Sequence, residues 1–198
     1  MPKPPLIASV LGVAMVISLA ACGSSQPEVR QVTEFTEQDA ELFEDGVDLI
    51  ADPEQLEGRW RKEWSRELDL RVRRAEFVGL VTVHTLRTDI DPERRSTYRL
   101  LVEVDKELLG EAPDELTLTV HEGQGGFGTI HGNDRRILNQ PFVAFLKWYR
   151  TDEGGIAPHW HLAPAAEPVA ERVKWLIEKR HDKEIEEPGS RRVIIHDN

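Results

Sequence analysis

A change of hydrophobic period near residue 76 constrains the fold of this chain more than any other feature. Before it, Leu56, Trp60, Trp64 and Leu68 recur every four residues, the spacing of one face of a helix. After it, the stretch EFVGLVTVHTL is rich in Val and Thr and nearly all apolar, as expected of a strand covered on both sides. The sequence therefore predicts a helix followed by a sheet with two covered faces.

Two helices are predicted. The first begins at Asp52, which can cap it, with Pro53 in its first turn and acidic groups where the helix dipole favours them. Its stripe contains Trp60 and Trp64; we interpret both as core residues rather than a ligand platform, because buried aromatics dominate core energetics. The second helix covers EPVAERVKWLIEKR, residues 167–180.

Alternation of apolar and polar residues predicts further strands after the first. In STYRLLVEV, for example, Tyr98, Leu100 and Val102 share one side. The order predicts an α+β domain, either a small curved antiparallel sheet or a partly closed OB-like barrel of about five strands, flanked by an N-terminal and a C-terminal helix. The later predicted strands are STYRLLVEV (96–104), ELTLTVH (115–121), PFVAFLKWY (141–149) and PHWHL (158–162), with a further edge strand over Val193 to Ile195.

This strand order is similar to OB-like barrels of the tissue-inhibitor or netrin-like type. The disulfides that staple many such domains need cysteines that this chain lacks, because its single cysteine is Cys22. The resemblance therefore implies the barrel shape and not the protease-inhibitory role. A protease-inhibitor-like module, which would need a free amino terminus, is kept as a further alternative. The likeness is carried by Phe77 to Val83, Thr97 to Val104, Lys106 to Gly110 and Phe142 to Leu146.

The N-terminal segment has the pattern of a secretory signal. Lys3 supplies a basic charge, and Leu6 to Ala21 contains no charged residue. This stretch is short for a bilayer core that needs about 20 apolar residues, so cleavage is favoured over a retained anchor. The residues Leu19-Ala20-Ala21-Cys22 resemble the lipobox of bacterial lipoproteins.

The lipobox resemblance implies a specific chemistry at Cys22. A diacylglycerol becomes bonded to its sulfur, the chain is cut between Ala21 and Cys22, and the new amino group is acylated. Two or three acyl chains hold a protein on a membrane stably, whereas one binds reversibly. In such lipoproteins an aspartate after the cysteine often signals inner-membrane retention. Gly23 at that position favours the outer membrane of the cell envelope, if the cell has two membranes.

These features predict three parts: a signal peptide over 1–21, the lipidated cysteine with a flexible tether over 22–33, and one globular domain over 34–198. At the start of that domain the acidic stretch 34–48 predicts no more than a short helix. The composition is globular, and a formal net charge of -11 would be repelled by nucleic-acid phosphates. The expected partners are the lipid membrane, through acylated Cys22, and an envelope protein rather than nucleic acid.

A long glycine-rich connection over 121–140 is the first candidate binding feature. It lacks the G-K-[ST] ending of a phosphate-binding loop. We interpret it primarily as a loop over one barrel end. The alternative is a binding loop that uses Phe127, Arg135 and Arg136, since long loops are often functional.

The sequence PHWH is the second candidate feature. On a strand, His159 and His161 point the same way and can reach one zinc ion. A third ligand would come from His121, His131 or Glu122, none of which lies at a diagnostic spacing. Solvated or hydrogen-bonded histidines are the favoured interpretation, and no other cofactor is predicted.

Nucleophilic catalysis has little support. The sequence has no G-x-S-x-G elbow, and its one cysteine is assigned to lipid. The sequence therefore predicts a membrane-anchored envelope lipoprotein that acts as a non-enzymatic binding or scaffolding module. A zinc-dependent hydrolase built on His159 and His161 is the alternative.

Overall fold

The computed structural model describes residues 32–113 and 115–186, with side chains through His181. These residues form an α+β arrangement of one sheet and several helices, so the predicted fold class is confirmed. No helix in the described ranges is long and apolar enough to span a bilayer. The helices are α1 (Glu37–Leu42), α2 (Arg59–Arg74), α3 (Phe127–Ile130), α4 (Asp134–Ile137) and α5 (Glu167–Glu186), with a 3-10 turn at Pro53–Gln55.

The sheet has the order β1-β6-β5-β2-β3-β4 and curls into a half-barrel. All pairs are antiparallel except β1 with β6, which is parallel. Irregularities in the β2–β3 register increase the local twist and help the sheet to curl. The strands are β1 (Gly46–Val47), β2 (Phe77–Ile90), β3 (Ser96–Leu109), β4 (Leu116–His121), β5 (Pro141–Arg150) and β6 (Ile156–Pro164).

The inner face of the half-barrel is an apolar core. The alternation predicted in β3 and β4 is confirmed, because Tyr98, Leu100 and Leu118 are buried there. Trp160 crosses this interior from β6, and its indole N–H donates to the Thr119 carbonyl of β4 at 3.0 Å. That bond connects strands near opposite edges of the sheet across the core.

The outer face of the sheet is covered by helices. Leu68 and Val72 of α2 and Val173 of α5 pack with Val143 and Phe145 of β5. Because β5 contributes to both cores, it is buried on both sides and reads as an apolar run. The two longest helices therefore pack on the same face, and α1 packs beside α2.

The predicted sheet needs one correction. It is mixed and has six strands, not about five antiparallel ones, because β1 pairs in parallel with β6. This two-residue strand is held by long-range contacts that local patterning does not encode: the Asp45 amide donates to the Trp160 carbonyl at 2.9 Å, and the Asp48 amide to the Leu162 carbonyl at 2.7 Å. The predicted strand at residues 193–195 lies outside the described residues.

The first predicted helix also needs correction. Asp52 caps the short 3-10 turn, and α2 begins only at Arg59 after Gly58, whose φ is 56°. Trp60 therefore lies in the first turn of α2, is 60% exposed, and stacks with the Arg59 guanidinium. Trp64, one turn later, is 8% exposed and joins the helix-side core. The core interpretation is confirmed for Trp64 and wrong for Trp60.

Candidate ligand-binding pocket

The Asp45 side chain bonds residues of β6 and of the glycine-rich connection. It has a left-handed backbone with φ of 58° and lies between α1 and β1. Its Oδ1 accepts the Trp160 amide at 3.0 Å, while its Oδ2 lies 2.8 Å from His159 Nδ1 and accepts the Gln124 side-chain amide at 3.2 Å. Burial raises the pKa of Asp45, and the bond with His159 opposes that rise. Asp45 thus fixes β1, β6 and the glycine-rich connection together.

His159 is held on three sides. Besides the Asp45 carboxylate, its ring stacks on Tyr149 with centroids 4.1 Å apart and on Phe35 with centroids 4.5 Å apart. These contacts give His159 a structural role between the segment before α1 and the sheet. The favoured prediction of a hydrogen-bonded histidine describes this residue.

His161 has a different environment, although it lies two residues away on the same face of β6. It is 3% exposed, and neither Nδ1 nor Nε2 has a hydrogen-bond partner among the described residues. Burial holds the pKa of His161 well below its usual value, and the nearby Arg71 guanidinium lowers it further. The ring is therefore neutral near pH 7, with one nitrogen that donates and one that accepts.

Arg71 carries a buried positive charge beside His161. Its Nε donates to the Leu42 carbonyl at 2.9 Å, and its Nη2 lies 3.3 Å from Glu67 Oε2 on the same helix. Arg71 therefore ties α2 to the end of α1.

A pocket of about 400 Å³ opens between α2, the β1 region and the glycine-rich connection. That volume lies within the range of small-molecule sites, roughly 300–1,000 Å³. One part of its wall is polar and another is apolar, so it can hold a ligand that has both kinds of surface. The lining residues are Glu44, Val47, Asp48, Leu49, Ile50, Trp64, Glu67, Arg71, Thr129, Asn133 and His161.

Negative charge is concentrated in this pocket. Burial raises the pKa of Glu44; Arg71 opposes the rise, while Glu67, Asp48 and Asp45 add to it. Asp48 is fixed in place, because its Oδ2 accepts the Trp64 indole N–H at 2.8 Å and its Oδ1 accepts the Ile50 amide at 2.8 Å. Three carboxylates thus line the pocket with one guanidinium.

The glycine-rich connection forms one wall of the pocket. Gly126 packs so closely on the β1 region that a Cβ there would lie 2.3 Å from the Asp45 carbonyl oxygen. Thr129 accepts the Val47 amide at 2.9 Å and donates to the Gly126 carbonyl at 2.7 Å. Gly126 is thus required by the close approach of two backbones, a reason for its presence that is independent of ligand binding.

The residues predicted for a binding loop have different environments. Phe127 is half-buried and packs on Tyr98 with ring centroids 4.9 Å apart, whereas Arg135 and Arg136 are exposed on α4. The binding role proposed for these three residues stays a prediction.

The additional zinc ligands considered from sequence have partners elsewhere in the domain. His121 bonds Thr97, His131 bonds the Tyr98 hydroxyl, and Glu122 accepts the Ser96 amide. Among the side chains that the structure describes, within residues 32–113 and 115–181, no three of His, Cys, Asp or Glu are grouped so as to hold a metal ion. Zinc binding by His159 and His161 stays a prediction, and Ala21 and Cys22 lie outside the described residues.

Sequence reasoning found His161 and missed the residues around it. Glu44 and Asp48 were visible only as part of an acidic stretch, and Trp64 only as a core residue. The spacing of Glu67 and Arg71, four apart on a helix, was an available signal for an ion pair.

No family model matches this chain, and neither a curated protein nor a solved structure matches it significantly.

Proposed function

We propose that the protein is a lipid-anchored envelope protein whose folded domain is a non-enzymatic binding module. The observation that carries the proposal is His161, a buried imidazole without a hydrogen-bond partner among the described residues, in the wall of a pocket of ligand size. Buried polar groups nearly always have a partner, because an unpaired one costs about 1–3 kcal/mol. A ligand that hydrogen-bonds the ring would remove this cost.

The chemistry of the lining supports binding rather than catalysis. Among the described lining residues, Thr129 is the one with a hydroxyl group. That hydroxyl already accepts the Val47 amide and donates to the Gly126 carbonyl. The Asp48 carboxylate is held by the Trp64 indole and a backbone amide. These groups are positioned for structure and recognition, without an activated nucleophile.

The membrane anchor rests on the sequence Leu19-Ala20-Ala21-Cys22 and the uncharged stretch before it. Acylated Cys22 would hold the domain at the membrane surface of the cell envelope. The outer membrane is favoured in a cell with two membranes, with an envelope protein as a further partner. The expectation that nucleic acid is not a partner follows from the net charge of -11.

Replacing Cys22 tests the anchor. Cys22→Ala removes the sulfur that would carry the diacylglycerol, so the variant should leave the membrane fraction and fail to incorporate labelled palmitate. Ser24→Ala is the matched control, because it changes a neighbouring residue and keeps the thiol. A variant that stays in the membrane fraction at its uncleaved size would instead assign residues 6–21 to a signal anchor.

A further inference from the structure

His161 and three carboxylates line one pocket. Glu44, Asp48 and Glu67 bring negative charge to it, with Arg71 as the described cation in its wall. Burial raises the pKa of Glu44, and the nearby carboxylates raise it further, because like charges in a partly buried site repel one another. The pocket is therefore electrostatically complementary to a positively charged ligand.

We propose that this pocket binds a small organic cation with a primary ammonium group on a short apolar chain, an inference that rests on the proposed binding-module function. The ammonium has three N–H donors and no acceptor. The neutral ring of His161 offers an acceptor nitrogen, and the carboxylates of Glu44 and Glu67 offer charged acceptors. The wall of the pocket thus offers an ammonium both neutral and charged acceptors.

The rest of the pocket favours an organic cation over a bare metal ion. Its volume of about 400 Å³ is far larger than a bare ion needs. Val47, Leu49, Ile50 and Trp64 provide an apolar wall that can contact an alkyl chain. An anion would meet the carboxylates, and a neutral ligand would leave their charge unbalanced.

Glu44→Gln is the most informative variant. It keeps the size of the side chain and removes its charge. Burial raises the pKa of Glu44, so its charge is less favourable in the fold than in water, and the variant should fold with an unchanged or higher unfolding midpoint. Glu178→Gln, on the exposed side of α5, is the matched control because it removes the same charge away from the pocket.

The experiment is calorimetric titration of the full-length protein in detergent with pentylamine, pentanol, pentanoate and zinc chloride. We expect pentylamine to bind the native protein and Glu178→Gln equally. Glu44→Gln should bind it about tenfold more weakly, the effect of one charge-assisted hydrogen bond. His161→Leu should also lose affinity, while pentanol and pentanoate produce no binding heat.

Three results would overturn the inference, and they bear differently on the proposed function. Pentanol or pentanoate binding as tightly as pentylamine, and weakened by His161→Leu, would keep the binding module and reject the cation. Zinc that displaces pentylamine would assign the pocket to a metal. Absence of binding by all four probes, or binding insensitive to both variants, would reject the pocket as a cation site, while the anchor is judged separately by Cys22→Ala.

Discussion

The two faces of the half-barrel differ in chemistry. The inner core is built from apolar side chains, together with Tyr98. The outer, helix-covered side contains the buried polar residues Arg71, Lys147 and His161 among its apolar ones. Apolar packing alone accounts for the inner face, whereas the outer face retains groups that are costly to bury. The inner face is thus an apolar core, whereas the outer face contains the groups on which the proposed binding function rests.

Part of the outer-face polarity is structural. Thr36 caps α1, and the Asp39 carboxylate accepts the Thr36 amide in return. Asp39 also lies 3.0 Å from Arg74 and 3.8 Å from Lys147. Burial alone would raise the pKa of Asp39, but the hydrogen bonds from Thr36 and Arg74 and the nearby charge of Lys147 hold it below its usual value. This cluster is internally paired and needs no ligand. His161, without a partner among the described residues, is the contrasting case.

Trp160→Ala should have the largest effect on stability, since it tests the inner face. The side chain is fully buried and links β6 to β4 through its indole N–H. We expect the free energy of unfolding to fall by the upper part of about 3–5 kcal/mol, measured by urea denaturation. A loss below about 1 kcal/mol would mean that the inner core does not hold the curl.

Trp64→Ala and Trp60→Ala form a matched pair on α2 that tests the outer face. Trp64 is buried and bonds Asp48, so its loss should cost about 3 kcal/mol. Trp60 is exposed, so its loss should change the free energy of unfolding by less than about 0.5 kcal/mol. Equal effects would show that the helix begins before Arg59 and buries both rings.

His161→Leu should have a smaller effect that depends on pH. Because the pKa of His161 is lowered in the fold, the unfolded chain binds a proton first as pH falls below about 6.5. Stability contributed by the neutral ring is then lost by up to about 1.4 kcal/mol per pH unit, down to the folded pKa. The leucine variant lacks this loss, so its stability relative to the native protein should rise as pH falls.

Urea denaturation at several pH values between about 7 and 5 measures this difference, with Arg71 and Glu44 present in both proteins. His84→Leu is the control, because His84 lies on an exposed part of β2 beside Glu103. Parallel pH profiles for native protein and His161→Leu would contradict a neutral, buried ring.

The inner face was predictable from sequence because its information is local. Apolar residues alternate over Tyr98, Leu100 and Val102. Because successive side chains of a strand point to opposite faces, this pattern places every second residue in the core. The two-residue β1 was not predictable, since its pairing depends on Asp45 reaching a strand more than a hundred residues later. Likewise the exposure of Trp60 depends on where α2 begins, which four-residue spacing does not specify.

The pocket was less predictable for the same reason. His161 was identifiable through its spacing from His159, but the sequence could not distinguish the paired ring from the unpaired one. The groups around the two rings come from distant segments. The Asp45 carboxylate bonds His159, whereas Arg71 of α2 lies near His161 without bonding it. Burial of Glu44 likewise depends on tertiary packing rather than on its acidic neighbours.

The central claim, that His161 is a neutral recognition group in a cation pocket, is tested most directly by nitrogen NMR of its ring. The full-length protein would carry ¹⁵N-labelled histidine, with His84 as an internal reference. We predict a neutral His161 at about pH 6.5, with a ring-nitrogen shift on adding pentylamine and no change at His84. A charged His161, or a ring unaffected by saturating pentylamine, would contradict the account.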